Sequence, residues 1–121
     1  MSATERLQCV IVDDNARFAV AAAKLLEGQG IEVLGVASYC AEALRMVEEL
    51  APHVTLVDVN LGSECGFNLA EQLHRRQSVV ILISTYAEHD FSEMISDSPA
   101  VGFLTKSQLS SSAIRRMLSV A

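Results

Sequence analysis

Short runs of aliphatic and β-branched residues alternate with longer amphipathic segments along the whole chain. The fourth of the five runs contains no polar residue, which is typical of a strand covered on both faces. The segments between the runs repeat apolar residues every three or four positions, as a helix with one buried face requires. This alternation predicts right-handed crossovers and a parallel sheet with helices on both faces. The five runs are residues 7–12, 31–37, 54–57, 79–83 and 101–104.

Local signals mark the ends of several predicted helices. Gly28 and Gly30 stand where the first helix should end, and Pro52 follows the second. Asp90, with Glu93 three residues later, predicts the cap of a short fourth helix. A fifth helix follows the last strand, and we expect residues 1–121 to form a single α/β domain.

Composition narrows the possible functions. The chain has 121 residues, half of them hydrophobic, which suffices for one domain with a full core and no disulfides. The net charge of −6 and the lack of a Lys/Arg-rich run argue against direct nucleic-acid binding. Three cysteines without metal-type spacing fit free thiols in a reducing compartment. We found no signal peptide and no run of membrane-spanning length, so we expect a cytoplasmic domain without membrane contact.

Three of the five aspartates end strand-like runs. Asp13 and Asp14 follow the first run, and Asp58 follows the third. Open parallel sheets carry ligands at the carboxyl ends of their strands, so two adjacent strands would bring these carboxylates together. Such a cluster repels itself unless a cation lies in it, and a hard divalent ion such as Mg²⁺ is the natural occupant.

Two further polar residues follow strand-like runs. Ser84 ends the fourth run, and Lys106, one of only two lysines, follows the fifth. A hydroxyl, an ammonium and three carboxylates at one sheet edge suit a phosphoryl group bound through a metal ion. Simpler interpretations are that the aspartate pair caps the first helix and that Lys106 is a surface residue. The recurrence of polar residues at matching strand ends favours the phosphoryl site.

The order and spacing of these residues resemble the receiver domain of two-component response regulators, over nearly the whole chain. The separations match as well as the residue types, with 22 residues from Ser84 to Lys106 and three from Phe103 to Lys106. The resemblance implies a flavodoxin-like, doubly wound sheet with strand order 2-1-3-4-5 and five flanking helices. It also implies that Asp58 accepts a phosphoryl group from a histidine kinase or a phosphotransfer protein.

The same resemblance assigns the remaining roles. Asp13, Asp14 and Asp58 would bind Mg²⁺, together with the backbone carbonyl of Asn60. Ser84 and Lys106 would bind the phosphoryl group. Ser84 and Phe103 would form a switch pair that changes the surface of the fourth helix, the fifth strand and the fifth helix, with a homodimer through this surface as one output. Phe103 could equally be an ordinary core residue.

The chain departs from the family pattern at three positions. Gly62 stands where many receivers have proline, and Pro99 begins the stretch that usually starts with glycine. Ser107 follows the lysine in place of proline, so the loop is either trans or strained, because a cis bond without proline costs about 3 kcal/mol. A fourth departure is that we see no output domain. These changes concern loop geometry and output, and they leave phosphorylation as the expected chemistry.

Two other functions compete with a signalling switch. A phosphohydrolase with an aspartate nucleophile would place a second acid two residues later, where this chain has Asn60. An interaction module that no longer turns over would have lost Asp58, Lys106 or the acidic pair, and all are present. We therefore expect a signalling domain that catalyses only its own phosphorylation and dephosphorylation.

Overall fold

A five-stranded parallel sheet is the centre of the computed structural model, which describes residues 6–62 and 64–120. Its strands lie in the order β2-β1-β3-β4-β5, so the predicted flavodoxin-like order 2-1-3-4-5 is confirmed. β1 pairs with both β2 and β3, which places the first and third strands side by side. The strands are β1 (Leu7–Val12), β2 (Ile31–Ala37), β3 (Val54–Asp58), β4 (Val80–Ser84) and β5 (Gly102–Thr105).

Helices cover both faces of this sheet, as predicted. They are α1 (Ala16–Gly28), α2 (Cys40–Leu50), α3 (Gly66–Arg75), α4 (Ser92–Asp97) and α5 (Ser111–Val120). α1 and α5 bury their apolar faces against one side, where Leu26 and Ile114 meet Ile11. α2 and α3 cover the other side, where Val47 and Leu73 join one core with the opposite face of β1. Successive strand residues alternate between the two cores because their side chains point to opposite faces.

A short hairpin follows β3, and the sequence did not predict it. Asn60–Leu61 pairs antiparallel with Glu64–Cys65, outside the main sheet. Gly62 turns this hairpin with φ +61°, a left-handed conformation that proline cannot adopt because its ring holds φ near −65°. The glycine that departs from the family pattern is therefore the residue that this turn requires.

The fourth helix begins differently from the sequence prediction. Residues Glu88–Phe91 form a 3₁₀ helix that contains Asp90, and the α-helix begins at Ser92. The residue before it, Phe91, makes no side-chain capping hydrogen bond. Asp90 is thus not the N-cap, because it lies within the 3₁₀ turn and the α-helix begins one residue later than a cap at Asp90 would place it. The predicted ends of α1 and α2 are confirmed at Gly28 and before Pro52.

The hydroxyl of Thr55 is expected to destabilise the protein. Thr55 is fully buried in β3, and its Oγ1 has no hydrogen-bond partner among the described residues. A buried polar atom without a partner costs about 1–3 kcal/mol. We expect Thr55→Val to raise the free energy of unfolding by about 1 kcal/mol, measured by urea titration. The matched control is Val57→Thr on the same strand face, which should lower it; a loss of stability in Thr55→Val would contradict the interpretation.

Candidate functional site

Three carboxylates meet at the carboxyl edge of the sheet. β1 and β3 pair in parallel, with Val12 opposite Val57. The residues that follow these two, Asp13 and Asp58, therefore lie side by side. One carboxylate oxygen from each of Asp13, Asp14 and Asp58 lies within 4.8 Å of the others. Asp13 and Asp58 are buried, whereas Asp14 is exposed and gives solvent access to the cluster.

Lys106 reaches into this cluster from the 3₁₀ turn Lys106–Gln108 that follows β5. Its Nζ lies 2.7 Å from Oδ2 of Asp13 and 3.3 Å from Oδ2 of Asp58, and its side chain is 14% exposed. Burial alone would lower the pKa of Lys106, but the hydrogen bond to Asp13 and the charge of Asp58 together raise it above its ordinary value. Lys106 therefore remains charged at neutral pH and compensates part of the negative charge.

The carboxylate of Asp58 is held from two sides. One oxygen accepts a hydrogen bond from the backbone N–H of Asn60 at 3.1 Å, and the other is the oxygen that faces Lys106. Burial raises the pKa of Asp58 to about 6, with the charge of Asp13 in the same direction. The Asn60 hydrogen bond and the Lys106 charge offset only part of that rise. With a pKa of about 6, Asp58 is mostly ionised at neutral pH.

The donor set fits a hard divalent cation. Three carboxylates face a single ammonium, so the cluster keeps an excess of negative charge, and oxygen atoms are the ligands that Mg²⁺ prefers. Asn60 lies beside the cluster in the hairpin, with its backbone N–H on Asp58. Its role through the carbonyl oxygen stays a prediction.

Ser84 and Phe103 lie on strands next to the cluster. Ser84 is buried at the end of β4, and its Oγ accepts a hydrogen bond from the N–H of Tyr86 at 3.0 Å. Phe103 is 9% exposed and packs against Phe91, with ring centroids 6.4 Å apart, and Phe91 packs against Phe67. Ser84 makes no hydrogen bond to the carboxylates or to Lys106 within the described part of the chain.

Sequence reasoning missed a glycine that supports the site. Gly66, the first residue of α3, is buried against the end of β3, and its N–H donates to the carbonyl of Val59 at 3.0 Å. A Cβ at this position would overlap the backbone carbonyl of Asp58. No sequence signal distinguished Gly66 from the other five glycines, because the contact depends on how closely α3 approaches the strand end.

Comparison with known proteins identifies relatives of this chain. The sequence model of the response regulator receiver domain matches residues 9–118. The DNA-binding transcriptional activator EvgA of Escherichia coli K12 is 28% identical over 104 residues, which are 84% of this chain and 51% of EvgA. The transcriptional regulatory protein LiaR of Bacillus subtilis is 28% identical over 103 residues, 83% of this chain and 49% of LiaR.

The fold has close structural neighbours. The receiver domain of the response regulator NarL from Mycobacterium tuberculosis superposes with a TM-score of 0.81 over 96% of each chain, at 24% identity. The chain spans about half the length of the curated relatives it matches. Within the described ranges, no helix combines the length and the apolar character needed to cross a membrane.

Proposed function

We propose that this chain, which belongs to the family of response regulator receiver domains, is a phosphorylation switch. In this proposal Asp58 accepts the phosphoryl group. The observation that carries it is the position of Asp58, whose buried carboxylate shares the ammonium of Lys106 with Asp13. In this proposal Asp58 is the nucleophile, Lys106 supplies the counter-charge, and the carboxylates of Asp13 and Asp14 help to bind a cation.

The chemistry requires positioning and charge compensation more than it requires a further base. An ionised oxygen of Asp58 would attack the phosphorus of a phosphohistidine on a histidine kinase or phosphotransfer protein. The new O–P bond forms an acyl phosphate as the P–N bond breaks, and the imidazole leaves. Lys106 would pair with a phosphoryl oxygen, and the Ser84 hydroxyl would donate a hydrogen bond to another.

Asp13, Asp14, Asp58 and the carbonyl of Asn60 would hold Mg²⁺, which is a general feature of this family. When bound, the ion would compensate the clustered carboxylates and the charge of the phosphoryl group. The exposed carboxylate of Asp14 supports this assignment, because a cation can enter from solvent beside it. The excess negative charge of the cluster is a second support.

We also propose how the signal leaves the site. Ser84 would move towards the phosphoryl oxygens, and the aromatic contact of Phe103 with Phe91 would carry the change to α4. The altered surface of α4, β5 and α5 would then change self-association as a homodimer, or the binding of a partner. The net charge of −6 favours partners other than nucleic acid, and the odd count of three cysteines suits a reducing compartment such as the cytoplasm.

Incubation with acetyl phosphate and Mg²⁺ tests this function. We expect one phosphoryl group per chain, located at Asp58 by mass spectrometry of peptides, and complete loss of the label in Asp58→Asn. Asp97→Asn, an exposed aspartate at the end of α4, is the matched control and should be labelled normally. A label that survives Asp58→Asn would contradict the assignment. Repeated turnover of a phosphate monoester would instead favour the phosphohydrolase.

A further inference from the structure

The ammonium of Lys106 lies over an aromatic ring. Its Nζ is 4.4 Å from the ring centroid of Phe18, within the distance of about 6 Å at which a cation is attracted to a ring face. The same Nζ contacts the carboxylates of Asp13 and Asp58. Lys106 is therefore enclosed by two anions and a ring, and little of its side chain reaches water.

The position of the ring is determined by the loop that carries the acidic pair. Asp13 accepts a hydrogen bond from the N–H of Asn15 at 2.8 Å. Asn15 is the N-cap of α1, and its side chain accepts the N–H of Phe18 at 3.1 Å. These two hydrogen bonds tie the first turn of α1 to Asp13, so the ring and the carboxylate that enclose Lys106 belong to one connected unit.

The backbone of Lys106 is held from the other side without proline. Thr105 and Gln108 form a capping box around the 3₁₀ turn, and the N–H of Thr105 donates to the Gln108 side chain at 3.2 Å. The hydroxyls of Thr105 and Ser107 lie 3.1 Å apart. These contacts orient the Cα–Cβ bond of Lys106. Because four rotatable bonds separate the backbone of Lys106 from its ammonium, a contact at Nζ is needed to hold the charge in place.

We propose that Phe18 is a positioning residue that holds the Lys106 ammonium at the phosphoryl site. This inference rests on the function proposed above. The ring shields one side of the ammonium from water, and the carboxylates of Asp13 and Asp58 contact its other sides. An arriving phosphoryl oxygen therefore meets a cation that is already oriented and partly desolvated, which is the form of preorganisation that favours charge stabilisation.

The test compares three proteins in beryllofluoride binding at saturating Mg²⁺. Phe18→Leu keeps an apolar side chain but removes the ring face, and Phe18→Tyr keeps the ring. We expect Phe18→Leu to weaken beryllofluoride binding about tenfold, because the ammonium must then be ordered and desolvated when the ligand binds, and to change Mg²⁺ affinity less than twofold. Phe18→Tyr should bind beryllofluoride within about twofold of the wild type. Equal weakening in both variants would contradict the proposal, because it would indicate packing alone.

A second measurement needs no variant to fold. In the metal-free wild type, ring currents of Phe18 should shift the proton resonances of the Lys106 ε-methylene upfield, and their absence would contradict the proposal. The two inferences can also fail separately. A wild type that binds no beryllofluoride contradicts the phosphorylation switch and with it the role of Phe18. If the wild type binds beryllofluoride and Phe18→Leu binds it equally well, only the proposed role of Phe18 is contradicted.

Discussion

Lys106→Met is expected to lower the free energy of unfolding of the metal-free protein by about 3 kcal/mol at pH 8, and by much less at pH 4. The substitution leaves the buried carboxylates of Asp13 and Asp58 without the ammonium that contacts both. Removing one partner of a buried ion pair costs about 3–5 kcal/mol, and the lower value suits this partly open sheet edge. Urea unfolding at a series of pH values measures the effect.

The sign of the pH dependence follows from Asp58. Its pKa in the folded protein is raised to about 6 from an ordinary value near 3.8. Stability linked to this group is therefore complete below about pH 3.8 and is lost as the pH rises through about 6. Without Lys106 the pKa of Asp58 should rise further, so the gap between variant and wild type should widen from pH 4 to pH 8.

Lys24→Met is the control for charge, because Lys24 is the only other lysine and is exposed on α1. It should change the free energy of unfolding by less than about 0.5 kcal/mol at any pH. Mg²⁺ should restore part of the stability lost in Lys106→Met, since a bound cation stabilises the folded state that binds it. A loss of equal size at every pH would show that Lys106 acts through packing and not through charge.

Gly66→Ala is expected to lower the free energy of unfolding by about 3 kcal/mol, at the upper end of the usual cost of overpacking. The added Cβ would overlap the carbonyl oxygen of Asp58 and lie 2.8 Å from Cα of Val59. Both obstacles are backbone atoms, so no side chain can rotate away. Either α3 or the end of β3 must move, and denaturant unfolding measures the cost.

Gly28→Ala is the matched control for this substitution. Gly28 is the last residue of α1, and a Cβ there would meet no heavy atom within 4 Å. We expect it to raise the free energy of unfolding by about 0.5 kcal/mol, because alanine restricts the unfolded chain more than glycine does. Gly66→Ala should also weaken Mg²⁺ binding, since relief of the clash displaces Asp58. If Gly66→Ala has the stability and the Mg²⁺ affinity of the wild type, the close approach of α3 to the backbone of Asp58 is ruled out.

Much of the architecture could be predicted because it depends on local periodicity. The strand-like runs and amphipathic segments led to the correct sheet order once the family resemblance was added. The fourth helix was predicted less well, because a capping pattern at Asp90 does not distinguish an α-helix from a 3₁₀ turn. The hairpin around Gly62 has two-residue strands, too short to leave a periodic signal.

The fold class and the set of polar residues at the strand ends could be predicted from the sequence, because each follows from residue type and position along one segment. Which side chains are in contact depends instead on how the segments pack. Phe18 and Lys106 lie 88 positions apart, and Gly66 matters through its distance from the Asp58 backbone. Such contacts arise when separate elements pack at one sheet edge, and no local pattern encodes the separation of those elements.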